Sequence, residues 1–372
     1  MKALALGGTG PTGPYIVDGL LQRGYEVTIM HSGLHEVEFS RPVEHIHGDV
    51  HFEETLKEAL GDRTFDLVVG GYGRLKVTAD VMVGRTGRLI SIGGAVLARP
   101  NDPRWGPAGP PLGAPEDSPV RIDPENDRFS YLMYMAEQHV LDHHRAGHYN
   151  VSHFRYPMIY GPRQLATLDW CIVRRILDGR RQLIVPDGGL KLHSHAYVAN
   201  AAHAVLLAVD KPEACAGQVY NVADERLLSL KQRINLIAKA LNCEVELVSM
   251  PYDLARPAHP YCRGRDHIVV SIAKIKAELG YHDVLPADEA VPAAARWLVE
   301  NRPAPGGELE TQLGDPFDYA AEDAIIHAYF KGMEQVMSVP FTKYIPVHPY
   351  RHPKQPNEAW QRPQHAWGRR PR

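Results

Sequence analysis

The sequence predicts an α/β fold: a doubly wound parallel sheet with a smaller C-terminal lobe. Two observations support this prediction. Over the first half of the 372-residue chain, apolar strand-like segments alternate with segments whose apolar residues recur at helical spacing. The glycine-rich stretch GGTGPTG, residues 7–13, joins the first strand to the first helix. Such alternation is typical of parallel strands with helices on both faces of the sheet.

The strands and helices are predicted in a regular order. Buried strands are indicated by KALALGG, YEVTIMH, FDLVVGG, RLISIGG and VSHFRYPMIYGPR. Helices are indicated by TGPYIVDGLLQRG, FEETLKEALG and residues 129–146, then near 168–178, 199–209, 230–241 and 286–300. Residues 97–127 contain too much Pro and Gly for a helix or a central strand. This long loop is either a lid over a substrate or a structural arm.

The composition argues against several classes of protein. With 44% hydrophobic residues, 23% charged residues and a net charge of −3, the chain has no general attraction to nucleic acid or to an anionic membrane. It has no apolar run of the ~18–20 residues that a membrane helix needs, and its start, MKALALGG, predicts a strand rather than a signal peptide. Four cysteines without close pairing indicate a reduced, cytoplasmic protein, and no metal site is predicted.

GGTGPTG is the strongest motif in the chain. Its glycines have Gly-x-x-Gly-x-x-Gly spacing between a strand and a helix, a context that favours a nucleotide site over a plain glycine turn. Glycines permit a tight turn and a close approach to a pyrophosphate, while the helix N-terminus offers N–H groups and a partial positive charge. Pro11 suits a first helical turn. The predicted phosphate-binding residues are Gly7, Thr9, Gly10, Pro11, Thr12 and Gly13.

Several stretches occur in an order that resembles the extended short-chain dehydrogenase/reductase family, epimerase/dehydratase type, over roughly residues 1–301. After GGTGPTG they are GDV at 48–50, GGYG at 70–73, YPMIYGPR at 156–163, HAYVANAAHAV at 195–205, GQVYNVADE at 217–225 and SIAKIKAELGY at 271–281. The resemblance implies a Rossmann sheet that binds NAD or NADP and a lobe that closes over a small-molecule substrate. The dinucleotide-binding domain is expected at 1–165, with strands returning from later segments, and the substrate-binding lobe at 166–336. Residues 337–372, rich in Pro, His and Arg, are expected to form an irregular arm.

The resemblance also implies further cofactor contacts. Ser91 is included among them, although it lies two or three residues before the position where the family has a catalytic serine. From the adenine end to the nicotinamide end these contacts are Asp49 and Val50, then Gly70, Gly71 and Tyr72 beneath the cofactor, Ser91, and Tyr156, Pro157 and Ile159 beside the nicotinamide.

The end of the second strand distinguishes NAD from NADP. An acidic residue there binds the ribose 2′-OH and repels a 2′-phosphate. In this sequence the position holds His31, followed by Ser32, and both side chains can donate to a phosphate. The sequence therefore favours NADP over NAD, and NAD stays open.

The usual catalytic residues of the family are missing from the expected positions. The family uses a Tyr-x-x-x-Lys pair and a Ser or Thr, and an acidic residue commonly follows the lysine by four positions. If Glu137 is that acidic residue, then Met133 replaces the lysine and Phe129 the tyrosine. The serine position falls at residues 93–94, which are both glycine.

Tyr134 is the candidate replacement, because it lies on the same predicted helix three residues before Glu137. This placement resembles the progesterone 5β-reductase and iridoid synthase branch, in which a displaced tyrosine assists the reduction of a conjugated C=C bond by NADPH. Tyr131, one helical turn away, is the competing candidate. The alternative is that FSYLMYM forms an apolar helix face in a homodimer interface, and a homodimer is expected.

Three functions therefore stay open. The first is an NAD(P)-dependent oxidoreductase, a carbonyl or enone reductase acting on a small non-nucleotide substrate. The second is an epimerase, dehydratase or lyase with tightly bound NAD(P), although His193 and Asn200 replace an Arg and an acidic residue that nucleotide-sugar enzymes of the family usually have. The third is a non-catalytic dinucleotide-binding protein, regulatory or RNA-associated, for which the sequence has no basic, aromatic-rich face.

Overall fold

The computed structural model describes residues 1–33, 36–71, 74–95, 103–109, 111–120, 123–164, 167–342 and 355–356. The chain divides into two compact units, residues 1–318 and 319–372. The strands of the first unit are β1 Lys2–Leu6, β2 Glu26–His31, β3 Glu44–His47, β4 Leu67–Gly71, β5 Arg88–Gly94, β6 Asn150–Tyr156, β7 Met158–Tyr160, β8 Gln182–Pro186, β9 His195–Tyr197, β10 Gln218–Asn221 and β11 Glu246–Met250.

The helices predicted from apolar spacing are present, and several shorter ones are added. The first unit contains α1 Gly13–Gln22, α2 Glu53–Leu60, α3 Leu75–Val81, α4 Arg128–Arg145, α5 Asp169–Leu177, α6 Val198–Asp210, α7 Leu230–Ala240, α8 Ala273–Leu279, α9 Ala287–Glu300 and α10 Glu308–Leu313. The described part of the second unit contains α11 Tyr319–Met337. The sequence patterns did not predict β3, β8, β10, β11, α3, α8, α10 or α11.

The central sheet has seven parallel strands in the order β10-β6-β5-β4-β1-β2-β3. The chain runs from β1 outward to β2 and β3, and then returns through α2 to β4 on the other side of β1. Because such crossovers are right-handed, this reversal places the connecting helices on opposite faces of the sheet. α1 packs against α6, whereas α3 contacts both α2 and α4. The predicted doubly wound sheet is confirmed, and its strand order reverses between β1 and β4.

A smaller lobe is formed by later parts of the chain. β7 pairs with β9 and β8 pairs with β11, both in parallel, and α7 and α5 pack against α9. A buried, bidentate ion pair joins α7 to α5, since Arg233 donates two hydrogen bonds to the Asp169 carboxylate, at 2.5 and 2.6 Å. β10 returns from this part of the chain to the central sheet.

The described part of the Pro-rich loop is fixed to the rest of the first unit. Ala114 N–H donates to the Val269 carbonyl at 3.0 Å, and Ser271 N–H donates to the Ala114 carbonyl at 2.9 Å. The Glu116 carboxylate accepts from Asn221 N–H at 2.8 Å. These bonds favour a structural arm over a lid for residues 111–120, whereas residues 96–102, 110 and 121–122 lie outside the described part. Among the helices of the described residues, none is long and apolar enough to span a membrane.

Candidate functional site

A cavity of about 380 Å³ opens at the carboxyl edge of the central sheet. It lies where β1 and β4 end, which is the point where the strand order reverses. Open α/β sheets bind their ligands at this position, and the volume lies within the range of small-molecule and cofactor sites. The cavity is lined by the glycine turn, the ends of three strands and the segment after β6: Ala5, Leu6, Gly7, Gly8, Gly10, Pro11, Thr12, Gly13, Ile16, Val69, Gly71, Ile92, Tyr156, Pro157, Met158, Ile159 and Gln164.

The glycine turn has the geometry that its spacing predicts. Gly7 has a φ of +80°, in the region that favours glycine. A Cβ at Gly13 would lie 2.3 Å from the Gly8 carbonyl oxygen, so no side chain fits where α1 starts beneath the turn. The N-cap Thr12 makes no side-chain capping bond, which leaves the positive end of α1 toward the cavity. Pro11 precedes α1 rather than lying in its first turn, so this detail of the prediction is wrong.

The other predicted cofactor residues are distributed unevenly. Gly71, Tyr156, Pro157 and Ile159 line the cavity, as the sequence predicts. Tyr156 is held by a hydrogen bond from its hydroxyl to the Ala201 carbonyl at 2.9 Å. Two predicted residues, Thr9 and Gly70, are not among the cavity-lining residues, and Tyr72 lies outside the described residues. The remaining lining residues were missed by the sequence analysis, and all of them except Gln164 are apolar or glycine: Ala5, Leu6, Gly8, Ile16, Val69, Ile92, Met158 and Gln164.

Ser91 does not reach the cavity, which corrects its assignment as a cofactor contact. It is fully buried within β5, and its hydroxyl lies 2.8 Å from Nδ1 of His153 on the neighbouring strand β6. Side chains of a strand alternate between the two faces, so the position one step from Ile92, which does line the cavity, points to the other face. Burial lowers the pKa of His153 to about 4, so the imidazole is neutral at ordinary pH.

Asp49 and Val50 lie just after β3, near the expected adenine end. The Asp49 carboxylate is exposed and accepts from the backbone N–H of His51 at 2.8 Å, and its Oδ1 lies 2.6 Å from the His51 ring Nδ1. These two bonds lower the pKa of Asp49. Val50 is half-buried and packs against the hydrophobic core beneath the sheet edge. The structure therefore leaves Asp49 at the surface near the predicted adenine contact, while Val50 contributes to the core.

The end of β2 differs from the sequence expectation in one respect. His31 is buried, and burial lowers the pKa of its ring. Its Nδ1 accepts from Gly33 N–H at 3.2 Å, and its Nε2 lies 3.1 Å from Nδ1 of His45. The Glu36 carboxylate approaches the same His31 nitrogen to within 3.9 Å, whereas Ser32 is exposed. An acidic group is thus present at this end after all, contributed by a residue that sequence spacing did not point to.

A buried ion pair anchors α4, the helix that carries the positions assigned to the family's catalytic Tyr-x-x-x-Lys pair. The buried Glu137 carboxylate accepts from Nε and Nη2 of Arg155 at 2.7 and 2.8 Å. Burial opposes its charge, but the hydrogen bonds and the charge of Arg155 outweigh burial and lower the pKa of Glu137. A Cβ built at Gly94 would lie 3.3 Å from the Met133 methyl carbon. The residues assigned to the lysine and serine positions therefore lie next to each other.

The two candidate tyrosines both lie on α4 and are half-buried, whereas Phe129 is 75% exposed. Neither Tyr131 nor Tyr134 is among the residues that line the 380 Å³ cavity. Tyr134 directly follows Met133, whose methyl carbon lies near the end of β5. Tyr134 is thus on the helix that packs near this strand end, and its role as a catalytic acid stays a prediction.

A second cavity of about 40 Å³ lies in the smaller lobe. His193 and His195 line it, and burial lowers the pKa of His193 to about 4 and that of His195 well below its usual value. His195 begins β9, and its Nδ1 lies 2.8 Å from the His193 carbonyl oxygen. Both rings are therefore neutral near pH 7, and His193 precedes the strand that His195 begins.

A glycine turn at the reversal point of a doubly wound sheet, with a cavity that the turn lines, is the arrangement of Rossmann-type dinucleotide-binding folds. Part of the chain also matches the sequence model of a known protein family. Residues 106–223 match the sequence model of the NAD dependent epimerase/dehydratase family. The match confirms the resemblance to the epimerase/dehydratase type over these residues, which are less than half of the chain.

Solved structures share the fold. dTDP-glucose 4,6-dehydratase from Bacillus anthracis str. Ames, in complex with NAD, is 17% identical with a TM-score of 0.62 over 81% of this chain and 97% of its own. UDP-glucose 4-epimerase from Thermotoga maritima, with UDP-glucose, is 19% identical with a TM-score of 0.62 over 81% of this chain and 99% of its own. UDP-glucose 4-epimerase from Bifidobacterium longum, with NAD+ and UDP, is 17% identical with a TM-score of 0.60 over the same shares. At these identities the likeness shows the fold alone.

A curated relative, "Uncharacterized protein YbjS" of Escherichia coli strain K12, is 29% identical over 146 residues. The match covers 33% of this chain and 43% of the relative, less than half of that protein's length.

Proposed function

We propose that this chain is an NAD(P)-dependent oxidoreductase of atypical extended short-chain dehydrogenase type, which reduces a carbonyl or a conjugated C=C bond in a small non-nucleotide substrate. The observation that carries the proposal is the 380 Å³ cavity, which the glycine turn and the segment after β6 line together. The turn supplies a site for a pyrophosphate, and Tyr156, Pro157 and Ile159 form an apolar wall where a nicotinamide ring would lie. The bound cofactor would supply a hydride.

The chain's own residues are suited to reduction rather than to oxidation of an alcohol. A tyrosine with an ordinary pKa of about 10 is protonated at neutral pH, so it is a weak base and a competent hydrogen-bond donor. With Met133 beside Gly94, no lysine lies at this point to lower the pKa of a tyrosine. Tyr134 would donate to the oxygen on which negative charge develops after hydride transfer.

The second candidate function is an epimerase or dehydratase with tightly bound NAD(P). The epimerases and dehydratases among the solved structures of this fold favour it. In the smaller lobe, Lys191 and Arg263 line the 40 Å³ cavity and could contact an anionic substrate. However, that cavity is far below the ~300–1,000 Å³ of a drug-sized ligand site, so a nucleotide sugar requires opening of the lobe. Reduction of a small substrate needs no such opening.

Cofactor choice is part of the same proposal. His31 faces His45 and Glu36, so the β2 end offers imidazoles together with a carboxylate. Imidazoles favour a 2′-phosphate, whereas a carboxylate favours a 2′-OH. We propose that both cofactors bind, and that α4 contributes the surface of a homodimer through exposed Phe129 and Leu132.

The experiment has two stages. NADH and NADPH are first titrated against the purified chain by nucleotide fluorescence, and absence of binding for both would refute any dinucleotide-dependent function. Oxidation of the bound reduced cofactor is then followed with a panel of enones and aldehydes.

Two matched variants identify the acid. We expect Tyr134→Phe to lower kcat by about 100-fold, within the range of general acid catalysis, and to leave cofactor affinity unchanged. Tyr131→Phe, one turn away on the same helix, serves as the control and should change kcat by less than about threefold. Equal turnover in the Tyr134→Phe variant and the unmodified chain would remove Tyr134 from the mechanism.

A further inference from the structure

Three histidines and one glutamate converge at the carboxyl ends of β2 and β3. His31 pairs with His47 in the register of the two strands, and His45 lies two residues before His47 on β3. Because side chains of a strand alternate and paired residues share a face, all three rings project to the same side of the sheet. Glu36, from the segment between the strands, faces the same point. We call these four residues the histidine cluster.

The ligand atoms of the histidine cluster lie close to the spacing of a four-coordinate metal site. Nε2 of His31 lies 3.1 Å from Nδ1 of His45. The Glu36 carboxylate oxygens lie 3.3 Å from His45 Nδ1, 3.4 Å from His47 Nε2 and 3.9 Å from His31 Nε2. Bonds of about 2.0–2.1 Å to a tetrahedral Zn²⁺ place neighbouring ligand atoms about 3.3 Å apart. These four separations surround this value, and the ligand atoms of all four residues lie within 4.8 Å of one another.

Hydrogen bonding alone does not satisfy this arrangement. Gly33 N–H donates to Nδ1 of His31 at 3.2 Å, so a neutral His31 carries its proton on Nε2 and points it at His45 Nδ1. That nitrogen of His45 can accept this proton or donate one to Glu36, and it cannot do both, since a ring nitrogen holds either a proton or a lone pair. A divalent cation among the four atoms would satisfy all of them at once.

We propose that the histidine cluster binds one Zn²⁺ ion, with His31 Nε2, His45 Nδ1, His47 Nε2 and a Glu36 oxygen as ligands. Imidazole and carboxylate are suitable donors for zinc. The His31 side chain is 4% exposed and supplies a rigid wall, whereas the Glu36 and His47 side chains are 58% and 62% exposed and leave an access path for the ion. Loading moves the His31 proton from Nε2 to Nδ1 and therefore breaks the bond from Gly33 N–H.

The bound ion would fasten the segment around Glu36 to the ends of β2 and β3. In Rossmann folds, this end of the second strand is where the ribose of the adenosine is bound. Zinc binding is nevertheless independent of the function proposed above: a chain that binds zinc and no dinucleotide would refute that function and leave the metal site in place.

The test is a zinc titration of the full-length, untagged, metal-free chain in competition with a chromophoric chelator. We expect the unmodified chain to bind one equivalent of zinc tightly. The double variant His45→Ala/His47→Ala should bind zinc at least about 100-fold more weakly, because even residues that only hydrogen-bond to metal ligands change metal affinity by about 10–100-fold. The control is His139→Ala/His143→Ala, which removes two histidines that lie 2.7 and 2.9 Å from Asp80 in a separate cluster. This control should keep the tight equivalent.

The variant Glu36→Gln provides a second measurement if the double variant does not fold, because its exposed side chain changes by a single atom. We expect about tenfold weaker zinc binding, and loss of the visible absorption of tetrahedral Co²⁺ when cobalt replaces zinc. Equal zinc stoichiometry and affinity in the unmodified chain, Glu36→Gln and the double variant would overturn the proposal, as would a tight equivalent that only the His139→Ala/His143→Ala control loses.

Discussion

The buried pair of Glu137 and Arg155 should make the first unit sensitive to a conservative substitution at Glu137. Glu137 is 1% exposed and Arg155 is 4% exposed, and two hydrogen bonds of 2.7 and 2.8 Å join them. The pair attaches α4, which carries both candidate tyrosines, to β6. Glu137→Gln keeps the shape of the side chain and removes its charge, so the Arg155 guanidinium is left without its counter-charge.

The magnitude follows from two opposing contributions. Removing one partner of a buried ion pair costs about 3–5 kcal/mol, because the other charge stays buried and uncompensated. The Gln amide oxygen can still accept one bond from Arg155, which returns about 1 kcal/mol. We therefore expect Glu137→Gln to lower the free energy of unfolding by about 2–4 kcal/mol.

The assay is urea unfolding followed by circular dichroism at neutral pH. The control is Glu53→Gln, which breaks an exposed pair with Lys57 on α2 and should cost less than about 0.5 kcal/mol. Since the pKa of Glu137 is lowered in the folded chain, its contribution is present above the ordinary value of about 4.3 and is lost as the pH falls through the folded value. The two curves should therefore converge in acid. A loss no larger than that of Glu53→Gln would refute the reasoning.

Three further predictions concern the site and the smaller lobe. Gly13→Ala should destabilise the chain by about 1–3 kcal/mol in thermal or urea unfolding, because its Cβ would lie 2.3 Å from the Gly8 carbonyl oxygen. In the control Gly10→Ala, the nearest atom to the new Cβ is 3.5 Å away, so the loss should be less than about 1 kcal/mol. Equal losses in the two variants would contradict this prediction. Burial and the charge of Asp224 raise the pKa of Asp283 to about 6. The contribution of Asp283 to the free energy of unfolding should therefore fall as the pH rises from about 4 to 6. Asp283→Asn should then gain about 1 kcal/mol at pH 7 after allowance for solvent screening, with no gain near pH 4, measured by urea unfolding. When the Glu36→Gln variant is titrated with NADPH and NADH in the presence of a chelator, the ratio of the two affinities should shift about fivefold toward NADPH. This is the scale of removing one partly screened charge. An unchanged ratio would place Glu36 away from the ribose.

The elements that the sequence predicts well are those set by local patterns. GGTGPTG indicates its own turn because the backbone of Gly7 and the close approach at Gly13 exclude side chains there. The long amphipathic helices, such as α4 and α9, are visible in the spacing of their apolar residues. By contrast, β3 has a single buried residue among Glu44–His47, and α3 and α8 have only seven residues each, so their periodicity is too short to identify them.

The sequence alone thus determines the class of fold, the glycine turn between β1 and α1 and the absence of a lysine four residues before Glu137. The tertiary structure decides which distant residues meet. It directs Ser91 toward His153 rather than toward the cavity, places Met133 against Gly94, and joins Glu36 to three histidines from two strands. The physical reason is that turns and helical periodicity depend on neighbours in the chain, whereas these contacts depend on strand order and register, which only the packed sheet establishes.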